Sequence, residues 1–255
     1  GAQRDLFTPQ HFVQVGQAVQ GMREVSFRPD NTPEQVAASR QQYRSALQNV
    51  APLKRVLDVY TSRWFGNEPS KAFDPALYFL QQPEALAWRK EPATPLPARG
   101  GVDLQAIADT TLRARAAHSF FHWELEFPEV FFAPGTAGGQ DVELREDGGF
   151  DAVVGNPPYV SSRNEAFYRD NQSYIDSHFG LAVYQVDLYY LFIQRVAEHV
   201  VGPEGIWSFI VPDTWVASVT AQSFRKWLVH NNNVLALALP EESVFEAGVD
   251  VLVIV

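Results

Sequence analysis

An α/β protein with a helical N-terminal part is the fold class this sequence predicts, and three observations carry the prediction. The first 80 or so residues repeat their apolar side chains at helical spacing. Beyond Gly149, short apolar runs alternate with amphipathic helices. Finally, 46% apolar and 20% charged side chains in 255 residues are the proportions of a folded chain with a sizeable core, not of a disordered or fibrous one.

Thr32-Pro33-Glu34-Gln35 opens the first well-marked helix. Threonine is a good cap acceptor, proline fits the first helical position, and glutamine three residues after the cap can answer the cap's own N–H. Val36, Ala37, Tyr43, Ala46, Leu47 and Val50 come next at helical spacing. Pro52 is expected to interrupt, with a second helix carrying Leu53, Val56, Leu57, Tyr60 and Trp64 on one stripe. That aromatic stripe reads as core packing, since its spacing is what a buried helix face requires. Pro92, Pro95, Pro97, Gly100 and Gly101 make 83–102 a connector. Asp103 caps a further helix through about residue 117. The stretch 134–149, with five glycines and several acids, reads as an exposed loop.

Phe150-Asp151-Ala152-Val153-Val154 is a short, mostly apolar run ending at Gly155, as in a strand buried on both faces. A helix is expected over 184–200, through Val186, Tyr189, Tyr190, Ile193, Val196 and Ala197. Strands are expected over 206–211, 234–239 and 249–255, with a short helix at 224–229. This rhythm is that of a parallel α/β sheet, whose ligands bind beyond the carboxyl ends of the strands.

Composition narrows the function classes. With no cysteine, a disulfide scaffold, thiolate metal sites and cysteine nucleophiles are excluded, and a reducing, cytoplasmic setting is expected. No run approaches the length of a membrane span, and Gly1-Ala2-Gln3-Arg4-Asp5 is not the start of a signal peptide. The single methionine is not at position 1, and the last run, Val249-Asp250-Val251-Leu252-Val253-Ile254-Val255, stops without a turn signal, so both ends read as cut. A net charge of −10 argues against a broad phosphate-binding face.

The segment at the carboxyl end of the 150–154 strand therefore matters most, and it is Asn156-Pro157-Pro158-Tyr159. Two consecutive prolines fix two φ angles and remove two donors, leaving a stiff turn with carbonyls free to accept. Asn156 adds a side-chain acceptor and Tyr159 a flat ring. Acceptors beside a stacking surface suit a planar group carrying an exocyclic –NH2. The alternative is an ordinary proline-rich turn, because Asn and Pro dominate turns for conformational reasons alone.

The turn resembles the catalytic motif of the amino-methyltransferases that use S-adenosylmethionine, specifically the N6-adenine DNA methyltransferases. The resemblance extends to His122-Trp123-Glu124-Leu125-Glu126-Phe127-Pro128-Glu129-Val130-Phe131 and to Gly149-Phe150-Asp151-Ala152-Val153-Val154-Gly155. It continues in Val186-Asp187-Leu188-Tyr189-Tyr190-Leu191-Phe192 and Gly205-Ile206-Trp207-Ser208-Phe209-Ile210-Val211-Pro212. These blocks look like the large methylases of restriction–modification and BREX-type phage-defence systems. The match is specific from about 118 to 255. The stretch from Leu53-Lys54-Arg55-Val56-Leu57-Asp58 to Trp64-Phe65 is similar to the helical insertion those proteins carry before the motif.

The resemblance implies a helical insertion over 1–82, the connector over 83–102, and a partial catalytic domain over 103–255. That domain would hold the second half of a Rossmann-like methyltransferase sheet, mostly parallel with an antiparallel final strand. It implies catalytic roles for Asn156, Pro157, Pro158 and Tyr159. Asn156 Oδ1 and the Pro157 carbonyl would accept from the two N6 hydrogens of a flipped adenine, and Tyr159 would stack on it. Phe245, in Val244-Phe245-Glu246, is the candidate for a second contact with the base. The implied cofactor is S-adenosylmethionine and the implied partner double-stranded DNA, with further subunits of a defence complex.

The family's glycine-rich cofactor loop has no counterpart: Gly100-Gly101, Gly138-Gly139 and Gly148-Gly149 lack an apolar strand leading in and a helix leading out. The chain is therefore expected to be a fragment, inactive alone, with its cofactor loop and DNA-reading domain elsewhere. A nuclease is not expected, since none of Lys54, Lys71, Lys90 and Lys226 stands two residues after an acid. His118 and His122, with Glu124, Glu126 and Glu129 after them, could suggest a metal site, but their aromatic setting and the Glu124-x-Glu126 alternation read instead as a helix end running into a strand. Two other readings stay open at this point. One is a methylase of RNA or of a protein glutamine using the same turn; the other is a non-enzymatic docking module.

Overall fold

The computed structural model describes residues 9–71, 73–81, 96, 98, 101–134, 142–161, 165–181, 186–240, 244 and 250–255. The connector 83–102 and Phe245 fall almost wholly outside them. The chain divides into two compact units, Gly1–Glu146 and Asp147–Val255. The sequence puts the start of the catalytic domain at 103; the division between the units lies at 146/147.

The first unit is built on α1 (Pro9–Phe27) and α2 (Pro33–Thr61). Thr32 caps α2 as expected: its side chain accepts from the Gln35 N–H at 3.3 Å, and the Gln35 side chain accepts from the Thr32 N–H at 3.0 Å. Val15, Ala18, Val19 and Met22 of α1 are buried, as are Ala46, Val50, Leu53, Val56 and Leu57 of α2. A Cβ on Gly21 would lie 3.2 Å from Ala46 Cβ, so the two helices approach closely there.

Pro52 does not separate two helices; α2 runs through it. An interior proline costs about 3 kcal/mol. The four buried side chains around it, Val50, Leu53, Val56 and Leu57, each contribute roughly 1.5–3 kcal/mol, so burial outweighs the lost hydrogen bond.

After α3 (Pro75–Gln81) comes α4 (Leu104–His118), capped by the Asp103 side chain on the Ala106 N–H. It ends at Ser119, whose φ of 49° turns the chain sharply. The expected strand after His122 is absent. In its place are two short helical turns, α5 (Trp123–Glu126) and α6 (Pro128–Phe131). The reason is a contact of helical period: Trp123 stacks on Phe127 at 6.0 Å, four residues on, and Lys54 Nζ holds Glu126 Oε1 at 2.6 Å. A small antiparallel pair, β1 (Phe132–Pro134) and β2 (Val142–Leu144), completes the unit.

The second unit holds the sheet. Its elements are β3 (Phe150–Gly155), α7 (Glu165–His178), α8 (Leu188–His199), β4 (Val201–Pro212), α9 (Gln222–Asn231), β5 (Leu237–Ala238) and β6 (Val251–Ile254). Strand order is β3-β4-β6-β5, with β3 parallel to β4 and β6 antiparallel to both its neighbours. β3, β4 and β5 thus run one way and the last strand runs against them. β5 is shorter than expected, although Leu235 and Ala236 continue its hydrogen bonding onto the Val255 carbonyl. Trp207, Phe209 and Val211 alternate along β4 on the buried face, joined by Leu252 and Ile254. On the opposite face Ala152 pairs with Ile206, and both, like Val154, are exposed, so β3 is open on one face where the sequence predicts burial on both.

Candidate active site

β3 carries the chain to the carboxyl end of the parallel pair and delivers the Asn-Pro-Pro-Tyr turn there. The strand can end where it does because position 155 is glycine. It pairs with Phe209 on the buried face, and a Cβ would sit 2.7 Å from Phe209 Cε1. The Phe209 ring thus lies over the backbone at the root of the turn.

Beyond Gly155, Asn156 is exposed, Pro157 buried, Pro158 exposed and Tyr159 half-buried. The buried proline seats the turn, and its two neighbours face solvent. Among the described residues the Asn156 side chain has no hydrogen-bond partner, so both its acceptor and its donors are available. Tyr159 is fixed differently. Its hydroxyl donates to the Ile210 carbonyl of β4 at 3.0 Å, and its ring stands nearly perpendicular to that of Tyr189, 6.4 Å away at 74°.

α8 begins beside the turn. Asp187 is its N-cap residue, and the Leu188 N–H donates to the Val160 carbonyl at 3.0 Å, clipping the helix start to the residue after Tyr159. Tyr168 of α7 donates to the Val186 carbonyl just before the cap. An aromatic block continues inward: Tyr189 against Tyr190 (4.4 Å), Tyr190 stacked on Phe224 of α9 (4.4 Å), and Phe224 edge-on to Trp215 (5.3 Å). Arg225 Nη1 donates to the Trp215 and Ser218 carbonyls, holding the helical turn Asp213–Val216 at the end of β4.

Burial pushes the phenols of Tyr159, Tyr168, Tyr189 and Tyr190 above their ordinary range, and the Asp187 carboxylate adds to the effect at the last three. All four hydroxyls stay protonated at neutral pH. The turn therefore offers neutral acceptors and an uncharged ring. It can orient and polarise a planar amine.

The structure thus gathers Asn156, Pro157, Pro158 and Tyr159 at one strand end. Phe245 lies outside the described residues. The Ile210 carbonyl and the Tyr189 ring escaped sequence reasoning as site features. The available signal was the Asp187-Leu188-Tyr189 block: an N-cap acid before an apolar run marks a helix start, and its first turn meets Tyr159.

The histidine cluster does not form a metal centre. His118 stacks on Phe65 at 4.1 Å, while His122 Nε2 bonds Asp58 Oδ1 at 2.9 Å. Among the described residues no group of three metal-ligating side chains occurs. Of the glycine pairs only Gly148-Gly149 lies wholly within the described residues, and it does not lead from a strand into a helix. Gly101 precedes a helix already capped by the Asp103 carboxylate. Gly149 leads into a strand and presses on Gly202, whose N would lie 2.4 Å from an added Cβ. Among the described residues no helix is long and apolar enough to cross a membrane.

Residues 97–245 match the family described as Eco57I restriction-modification methylase. Two curated proteins of Haemophilus influenzae, the type II methyltransferases M.HincII and M.HindII, are each 30% identical over 108 residues, 42% of this chain. The matched stretch spans 21% of the first and 20% of the second.

Proposed function

The chain belongs to the Eco57I restriction-modification methylase family, and on that footing we propose that it carries the base-handling half of a DNA methyltransferase that methylates adenine at N6. The observation that supports this best is the turn itself. An exposed Asn156 amide, without a partner among the described residues, stands beside a Tyr159 ring anchored to Ile210, at the carboxyl end of a parallel strand.

The adenine N6 lone pair is delocalised into the ring and is a poor nucleophile. Acceptance of its two hydrogens by Asn156 Oδ1 and the Pro157 carbonyl favours a tetrahedral nitrogen and localises the lone pair. The same fixed dipoles offset the positive charge that grows on nitrogen as it is alkylated, and the surplus N6 proton then passes to water. Two prolines hold the dipoles in place, so little reorganisation is needed. The atom is out of reach inside a duplex, so the base is flipped and stacked on Tyr159, with Phe245 as a second contact.

The methyl donor in this reading is S-adenosylmethionine, held by residues other than Gly101 and Gly149. The double-stranded DNA is gripped mainly by residues outside this chain, in keeping with its charge of −10. Residues 1–82 are read as a helical insertion, 83–102 as a connector and 103–255 as part of the catalytic domain. The β3-β4-β6-β5 order supports reading the sheet as the second half of a Rossmann-like methyltransferase sheet.

The test is methyl transfer from labelled S-adenosylmethionine to duplex DNA by the complete gene product, with N6-methyladenine identified in the digested DNA. Asn156→Ala is expected to lower the rate by roughly 10²- to 10³-fold or more with the fold intact. Full activity in a folded Asn156→Ala protein would refute the assigned role, and label on RNA or protein instead of adenine would refute the substrate.

A further inference from the structure

We infer that Tyr189 is a positioning residue for the reaction, setting the plane of the Tyr159 ring on which the flipped base stacks. The inference rests on the proposed role of the Asn-Pro-Pro-Tyr turn and goes beyond it, since Tyr189 does not itself reach the base.

A hydroxyl tether does not by itself fix a phenol ring. The hydroxyl oxygen lies on the ring's long axis, so a ring held only through its hydroxyl can spin about that axis without moving the oxygen. The bond from Tyr159 Oη to the Ile210 carbonyl, 3.0 Å, therefore fixes where the ring points and leaves open which way its face turns. A lateral contact settles the second question. Tyr189 supplies one such contact, with ring centroids 6.4 Å apart and planes 74° apart, an edge arrangement that aromatic quadrupoles favour.

Such a wall must not move. Tyr189 is 2% exposed, and Tyr190, Phe224 and Trp215 back it in a continuous aromatic block. Its register to the turn is fixed by the hydrogen bond from the Leu188 N–H to the Val160 carbonyl, one residue from each ring. The Tyr189 hydroxyl is not what holds it: buried near Thr214, it makes no hydrogen bond of normal geometry among the described residues. The ring does the positioning, and this separates two variants.

In the complete gene product, Tyr189→Phe keeps the ring and is expected to retain kcat within about threefold of wild type. Tyr189→Leu removes the lateral wall and is expected to lower kcat by roughly 10- to 100-fold with little change in the KM for DNA. Duplex DNA with 2-aminopurine at the target adenine gives a signature that a purely structural role would not move. Stacking on Tyr159 quenches the flipped fluorophore in wild type and Tyr189→Phe, and Tyr189→Leu releases the quench while still binding DNA.

Where Tyr189→Leu does not fold, Tyr189→Met replaces it. If both fail to fold, or if either folds with wild-type kcat and wild-type quench, the inference is overturned. A wild-type protein that methylates no DNA removes the proposed role of the turn, and the inference with it. A wild-type protein that does so, silenced by Asn156→Ala but indifferent to Tyr189→Leu, overturns the inference alone.

Discussion

The Phe209 ring covers the backbone of Gly155 so tightly that a methyl group added there would lie 2.7 Å from Cε1. Phe209 is 5% exposed and packed in the sheet core, so it cannot swing out to make room. Gly155→Ala must therefore shift either the ring or the end of β3, and the turn begins at the next residue. Overpacking of this kind costs about 1–3 kcal/mol. The expected result is a melting temperature lower by several degrees together with a fall in methyl transfer larger than the stability loss explains. Thermal unfolding and kcat measured on one preparation of the complete gene product check both parts.

Tyr159→Phe isolates the tether to Ile210. The ring and its contact with Tyr189 remain, while one hydroxyl donor to the Ile210 carbonyl is lost. The stability cost should be about 0.5–1.5 kcal/mol. Freed at its outer end, the ring should stack less well, with kcat down roughly 3- to 10-fold. In the complete gene product, denaturant unfolding and steady-state kinetics read the two effects separately; an unchanged kcat would make the bond incidental to the site.

The strand that delivers the turn was legible because a mostly apolar run closed by glycine has few other uses, and the capping box at Thr32 because its two partners are three residues apart. Local signals of this kind need no knowledge of the rest of the fold. Pro52 misled because its local cost is real but is outweighed by Val50, Leu53, Val56 and Leu57, which meet their partners only in three dimensions. Glu124-x-Glu126 misled because two charges one residue apart imitate a strand, while the Trp123–Phe127 stack that sets the helical period depends on a contact four residues on. The Tyr159–Ile210 bond spans 51 positions and joins a side chain to a carbonyl, so no residue pattern announces it.

Alkaline pH should unfold the second unit. Tyr159, Tyr168, Tyr189 and Tyr190 all hold their protons above the ordinary phenol value of 10.0, mainly through burial. The folded state thus keeps protons that the unfolded chain releases near that pH. Their contribution to stability is complete below it and is lost as pH rises further. The denaturant midpoint should be flat from neutral pH to about 9 and then fall steeply. The last part of the phenolate absorbance should appear only with loss of structure; ionisation of all nine tyrosines in a still-folded protein would show these four rings to be accessible.

Asp58 is expected to dominate the polar energetics of the helical unit. Its carboxylate and the His122 ring have side chains 4% and 5% exposed, bonded at 2.9 Å, and Arg115 Nε approaches the second oxygen at 3.4 Å. Asp58→Ala leaves the buried His122 imidazole without its acceptor, while the Arg115 guanidinium, 46% exposed, turns to water; the loss should cost about 1–3 kcal/mol. Asp58→Asn keeps an acceptor for His122 but not the charge facing Arg115, and should fall between. Glu126 is the contrasting case: its 2.6 Å pair with Lys54 is shorter, yet both side chains reach solvent, at 17% and 23%. Glu126→Gln should cost less than about 1 kcal/mol. Urea denaturation of the three variants, with His122→Ala to close a double-mutant cycle, orders them. A cost at Asp58 no larger than at Glu126 would show that burial does not govern this pair.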